Sequence, residues 1–199
     1  MWIFLAYSFA TLVLLAGEQV SKKINNEEHK RKLLHLSGGV VALGLPWIVS
    51  QKIVGIIALS FVVIMAIQRR YKILTGLYEV QRTTYGEITF PLGVALSAFF
   101  LSPEQFIYIM LLVIVSDTFA SFLGQKYPAG RMLVFGTQKT LTGSLGFFSS
   151  ALVVALLLNI DLNSTAIFIV GALTIVETIS PLGLDNATIP VAYIAILAL

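Results

Sequence analysis

Long apolar runs broken by short charged clusters constrain this chain more than any other feature. Residues 2–20, 53–67, 103–123, 141–158 and 165–179 are each almost uninterrupted hydrocarbon. Only 12% of the 199 residues are charged, about half the share in a soluble domain, and mean hydropathy is +0.91. In a bilayer the backbone must satisfy its own hydrogen bonds, which leaves helices or closed barrels. Barrel strands need only about 10 residues and alternate in polarity; these runs are longer and do not alternate. The pattern predicts an all-α, polytopic transmembrane bundle of about seven or eight helices, some short or broken, forming a single domain over 1–199. With no cysteine and only His29 and His35 as imidazoles, thiolate chemistry and a histidine-rich zinc site are excluded.

In chain order, the first run is either a signal peptide or a retained helix. No basic stretch precedes it and a basic cluster follows, which favours the helix. Residues 21–35 read as a charged loop whose last part, Arg31–His35, starts a second helix that continues over 36–50. Arg69, Arg70, Lys72 and Arg82 make a second basic cluster. Gly86, Pro91 and Gly93 suggest a broken or short helix next. Residues 125–139 read as a loop, and the final run, 187–199, is short for a crossing. Folding eight spans into four hairpins places twelve of the thirteen Lys and Arg residues on one side, with Lys52 opposite. That asymmetry predicts a multi-pass cell-membrane protein with its basic side in the cytoplasm. The net charge of +3 is read as orientation and lipid or phosphate contact, not nucleic-acid binding. The same folding brings Arg31, His35, Glu87, Asp117, Lys139, Glu177 and Asp185 to the basic side, although the charge count does not require the acids to follow.

The stretch SDTFASFLGQKYPAGRMLVFGTQKTLTGS at 116–144 carries the densest chemistry. Asp117, Ser121 and Gly124 share one helix face at i, i+4 and i+7. An acid against an apolar run is costly unless paired or used, so Asp117 is either functional or bridged to Lys139 or Arg31. Lys139 precedes Thr140, Gly143 and Ser144 at the start of the next apolar run, where a helix N-terminus offers free N–H groups to a phosphate; Thr140 or Thr142 can cap it. The spacing is not that of a Walker loop. Glu177 sits in an apolar run, and Asp185 and Asn186 lie in the turn after it. Asp117, Glu177 and Asp185 are candidate ligands for magnesium, which takes oxygen donors and arrives with phosphates. Glu87 lies either at the headgroup level or in the site. The bland alternative is an ion-pair network holding short helices together.

The pieces RKLLH (31–35), YGEITFPLG (85–93), SDTFASFLGQKYP (116–128), QKTLTGSLGFF (138–148) and ETISPLGLDNATIP (177–190) resemble the CTP-dependent lipid kinase family of phytol, dolichol and polyprenol kinases, related to the phosphatidate cytidylyltransferases. The resemblance implies phosphoryl transfer, with Mg2+, from CTP or another nucleoside triphosphate to the hydroxyl of a membrane lipid alcohol such as phytol, geranylgeraniol or a polyprenol. It implies a nucleotide and metal site from Asp117, Ser121, Gly124, Lys139, Thr140, Gly143, Ser144, Glu177, Asp185 and Asn186, with Arg31, Lys32 and His35 from the early motif. Glu87 joins them as a catalytic candidate, and the general base is either Asp117 or His35. Diacylglycerol is an alternative acceptor. A CDP-lipid synthase is a further alternative, which the absence of any Asp-Arg pair disfavours. A small transporter would place its acids nearer mid-membrane. Oligomeric state is open.

Overall fold

The computed structural model describes residues 1–71 and 84–199; Lys72 and Arg82 of the second basic cluster lie outside the described residues. Eight helices and one hairpin follow in order among the described residues: α1 (Trp2–Ser21), α2 (Glu27–Gly44), α3 (Gln51–Tyr71), α4 (Gly86–Phe100), α5 (Pro103–Lys126), β1 (Arg131–Val134), β2 (Thr137–Thr140), α6 (Leu141–Leu157), α7 (Ser164–Ile179) and α8 (Asp185–Leu197).

By length and composition, α1, α3 and α5 can each cross a membrane. At a rise of about 1.5 Å per residue, their 20, 21 and 24 residues match the hydrocarbon thickness of about 30 Å. The remaining apolar helices are shorter, from 13 residues in α8 to 17 in α6. The expected seven or eight spans therefore meet three helices of full spanning length, with a set of shorter apolar helices around them.

Helix α5 is the centre of the bundle. Half of its apolar window is buried, against 28% for α3 and 17% for α1. Phe106, Ile109, Met110, Leu112 and Val113 along it are all but fully buried. Ser102 starts it with a capping box to Gln105, and Pro103 occupies the first turn, where a missing N–H costs nothing. Its middle, Leu112–Ser116, is wound as a π-helix. Helix α5 packs on α6, α1 on α2, α3 on α4, α4 on α8, and α7 against both α6 and α8.

Two expectations are corrected and one alternative is resolved. Helix α2 begins at Glu27, ahead of the start expected within Arg31–His35, because the Asn26 side chain accepts from His29 N at 3.1 Å and caps it there. Of the two alternatives for α4, broken or short, the helix is short and runs unbroken through Pro91. The segment expected as a loop over 125–139 instead extends α5 to Lys126 and then folds into an antiparallel hairpin, Arg131 opposite Thr140. The hairpin turns on Phe135 and Gly136, both at positive φ, as a two-residue turn between twisted strands demands.

Candidate functional site

Four elements deliver charge to one place. Asp117 follows the π turn of α5 directly. Lys139 sits on β2, Glu177 in the last turns of α7, and Asp185 at the first residue of α8. The turn between α7 and α8 is tight: Leu182 and Gly183 both have positive φ, which glycine adopts without penalty. It is tied to the start of α4 by Tyr85 N donating to Leu182 O at 2.8 Å and Thr89 Oγ1 donating to Gly183 O at 2.6 Å. A Cβ on Gly183 would come within 2.7 Å of Thr84 Oγ1, so this contact has no room for a side chain.

Carboxylate oxygens of Asp117, Glu177 and Asp185 lie within 4.8 Å of one another. The Lys139 ammonium donates to Glu177 Oε1 at 2.5 Å, to the Glu177 carbonyl at 2.8 Å and to Asp185 Oδ2 at 3.4 Å. Burial works against the charge on Lys139, but the Glu177 and Asp185 carboxylates outweigh it and hold its pKa above the ordinary lysine value. Lys32 donates to Asp117 Oδ2 at 2.7 Å and to the Asp117 carbonyl at 3.2 Å. The bridge considered for Asp117 from sequence was to Lys139 or Arg31; its partner is Lys32.

Three buried or half-buried carboxylates thus meet two ammonium groups, which leaves formal negative charge. A hexacoordinate magnesium places opposite oxygens about 4.2 Å apart. A spacing of 4.8 Å is within side-chain adjustment of that, so the donor set fits a divalent ion both in kind and in spacing.

Arg31 lies across from this cluster and makes a forked pair with Glu28, Nε to Oε2 at 3.1 Å and Nη2 to Oε1 at 2.5 Å. Ser121 donates to the same Glu28 Oε1 at 2.8 Å, tying α2 to α5. His35 Nε2 is 2.9 Å from Val113 O in the π turn and 3.7 Å from Asp117 Oδ2. A carbonyl only accepts, so this nitrogen carries the proton. Glu87 pairs with Arg69, which also donates to Thr84 O at 2.6 Å. Thr140 caps α6 by accepting from Gly143 N at 3.0 Å; Thr142 does not cap it. Gly124 serves close packing: a Cβ there would lie 2.6 Å from Thr140 Oγ1.

Two cavities meet here. A polar cleft of about 620 Å3 is bordered by Arg31, Asp117, Ser121, Gly124, Lys139, Thr140, Gly143, Ser144, Glu177 and Asp185. A second cavity, of about 340 Å3, is walled mainly by apolar side chains of α1–α4, among them Leu14, Val41, Phe61 and Phe90, with Lys32, His35, Glu87 and Asn186 at its polar end. Arg31, Thr84 and Asp117 border both. Every residue proposed from sequence for catalysis, nucleotide or metal borders one cavity or the other. Glu28, Thr84, Thr137, Gln138 and Ser180 also border the cleft and were not singled out. For Glu28 a signal existed, its i,i+3 spacing to Arg31. Thr137 and Gln138 come with Lys139 on β2, and Thr84 and Ser180 arrive through packing between distant segments.

No family model and no solved structure matches the chain. It is 31% identical over 199 residues to a phytol kinase of Synechocystis sp., an alignment that covers 94% of this chain and 85% of that protein. A similarity of that level, running almost end to end, shows kinship across the whole fold and not in one motif: the chain belongs to the phytol kinase family.

Proposed function

We propose that this protein is a multi-pass membrane enzyme that transfers the terminal phosphoryl group of CTP to the hydroxyl of an isoprenoid alcohol. One observation carries the reading: a polar cleft and an apolar cavity meet at Asp117. A nucleotide fits the first and a lipid chain the second, and the two reactants can touch only at the junction. Arg31, Arg131 and Lys139 at the cleft belong to the basic side of the chain, which faces the cytoplasm.

In this reading the triphosphate lies over the N-terminus of α6, whose first amides and dipole favour anions. Lys139 and Arg31 bind its oxygens and offset the charge that gathers on the phosphoryl group as it moves. Asp117, Glu177 and Asp185 would hold magnesium. When bound, the ion supplies positive charge against the triphosphate. Lys32 holds the Asp117 carboxylate beside the acceptor hydroxyl. Asp117 is the base assigned here, because its carboxylate borders both cavities while His35 borders the apolar one alone. The hydroxyl oxygen bonds to the terminal phosphorus, the bond from that phosphorus to the CDP oxygen breaks, and the hydroxyl proton passes to Asp117. CDP and an isoprenyl phosphate leave. The apolar cavity is walled by α1–α4, and in this reading the lipid chain enters it from the bilayer.

The test is product analysis on the purified protein with CTP labelled in the α- or γ-phosphate and a panel of phytol, geranylgeraniol, a polyprenol and diacylglycerol. The expected outcome is a γ-labelled isoprenyl phosphate plus CDP, lost on chelation of magnesium and weaker with ATP. Pyrophosphate plus a CDP-lipid overturns the reading in favour of a synthase. Diacylglycerol as the preferred acceptor overturns the isoprenoid assignment.

A further inference from the structure

Asp185 and Asn186 are neighbours in sequence but serve different spaces. Asp185 borders the polar cleft, and Asn186 borders the apolar cavity. Asn186 is only 6% exposed, and its Oδ1 has no hydrogen-bond partner. A buried carbonyl oxygen without a donor is unfavourable, and such atoms call for an explanation. Four buried side-chain atoms among the described residues share this condition, on Gln68, Ser97, Ser116 and Asn186. Of these, Asn186 alone borders either cavity.

The surroundings fix the backbone that carries this acceptor. A Cβ on Gly93 of α4 would collide with the Asn186 carbonyl, so the α8 backbone lies hard against α4 there. Gly86 leaves room beside the amide nitrogen, where a Cβ would sit 3.3 Å from Nδ2. The other polar groups at this end of the cavity are occupied: Glu87 by Arg69, His35 by the Val113 carbonyl, Lys32 by Asp117. The terminal torsion of asparagine is broad, so rotation about it can turn Oδ1 to the lumen.

We infer that Asn186 is the hydrogen-bond acceptor for the hydroxyl of the lipid alcohol, and that it selects a long apolar chain ending in O–H over the same chain capped as an ether. The inference rests on the kinase reading for the identity of the alcohol as substrate. In the nucleotide-free complex the hydroxyl donates its one proton to Oδ1; when the phosphoryl group arrives the proton turns to Asp117, and the oxygen lone pairs stay free for phosphorus throughout. A product phosphate monoester is largely doubly ionised at neutral pH. It would set acceptor against acceptor at Asn186, so the same residue disfavours retention of the product.

Binding of tritiated geranylgeraniol to the full-length protein in nanodiscs, without nucleotide, provides the test. Unlabelled geranylgeraniol and its methyl ether compete against it. Wild type is expected to prefer the alcohol about tenfold, as one hydrogen bond to a buried acceptor allows. Asn186→Leu is expected to level the two competitors to within about twofold, and Asn186→Ala, which adds no bulk, serves if the leucine variant does not fold. Equal competition in wild type overturns the inference, as does a preference that survives in the variants. Because no turnover is measured, the two readings fail separately. A preference that depends on Asn186 in a protein that transfers no phosphoryl group sinks the kinase reading. Turnover with a preference indifferent to Asn186 sinks this one.

Discussion

Replacing Lys139 by methionine tests the site most directly. Methionine keeps an unbranched apolar stem and removes the ammonium that touches Glu177 at 2.5 Å and 2.8 Å and Asp185 at 3.4 Å. Two opposite effects follow. The carboxylates lose their built-in cation, and breaking one side of a buried pair costs about 3–5 kcal/mol. A divalent ion then no longer competes with the ammonium for Glu177. A charge-assisted hydrogen bond contributes about 1.5–3 kcal/mol, so manganese(II) affinity of the nucleotide-free protein should rise about 10- to 100-fold. The triphosphate meanwhile loses its nearest cation, and turnover should fall on the order of a hundredfold or more. Electron paramagnetic titration with manganese(II) gives the first number, and release of CDP gives the second. A lysine that merely props up the fold would lower thermal stability without raising metal affinity. Unchanged manganese(II) affinity together with turnover within about threefold of wild type would refute the reasoning.

Further outcomes are expected. Asp117→Asn strands the Lys32 ammonium and removes a carboxylate from the trio; turnover should fall on the order of a hundredfold or more while the protein still elutes as a folded species in detergent, and near-normal CDP release would remove Asp117 from the chemistry. Gly124→Ala drives a methyl group to 2.6 Å from Thr140 Oγ1, which should disturb the α6 cap and cost about 1 kcal/mol, read as a lowered thermal midpoint; an unchanged midpoint would contradict the close approach of α5 to α6. The Lys139 pKa is raised in the fold. Its stabilisation is therefore complete below the unfolded lysine value of about 10.4 and is lost as pH climbs through the higher folded value. The thermal midpoint of wild type should fall more steeply above that pH than that of Lys139→Met, and parallel curves would show that the pair adds nothing.

The acids of the site were legible because the bilayer makes an unpaired charge expensive. Asp117, Glu177 and Asp185 stand out against apolar sequence for that reason alone, and the structure gathers their oxygens within 4.8 Å. Lys139 and the Thr140 cap were legible from the start of an apolar run. Pairing was not. Asp117 had Lys139 and Arg31 as candidate partners and meets Lys32 instead; the choice depends on how α2 lies along α5, which the spacing within each helix leaves undetermined. The hairpin at Arg131–Thr140 escaped notice because its strands are four residues long and its turn is Phe-Gly, not the Asn-Gly or Asp-Gly that marks such turns.

Composition and periodicity alone decide that this chain is helical and that its long helices suit a bilayer, because both follow from the cost of leaving backbone and charge unsatisfied in hydrocarbon. Packing alone decides that a polar cleft and an apolar cavity share Asp117 as a wall, and that adjacent residues on α8 face one each. A cavity is the space left between side chains distant in sequence. Its shape is a property of how helices cross, and no single helix contains it.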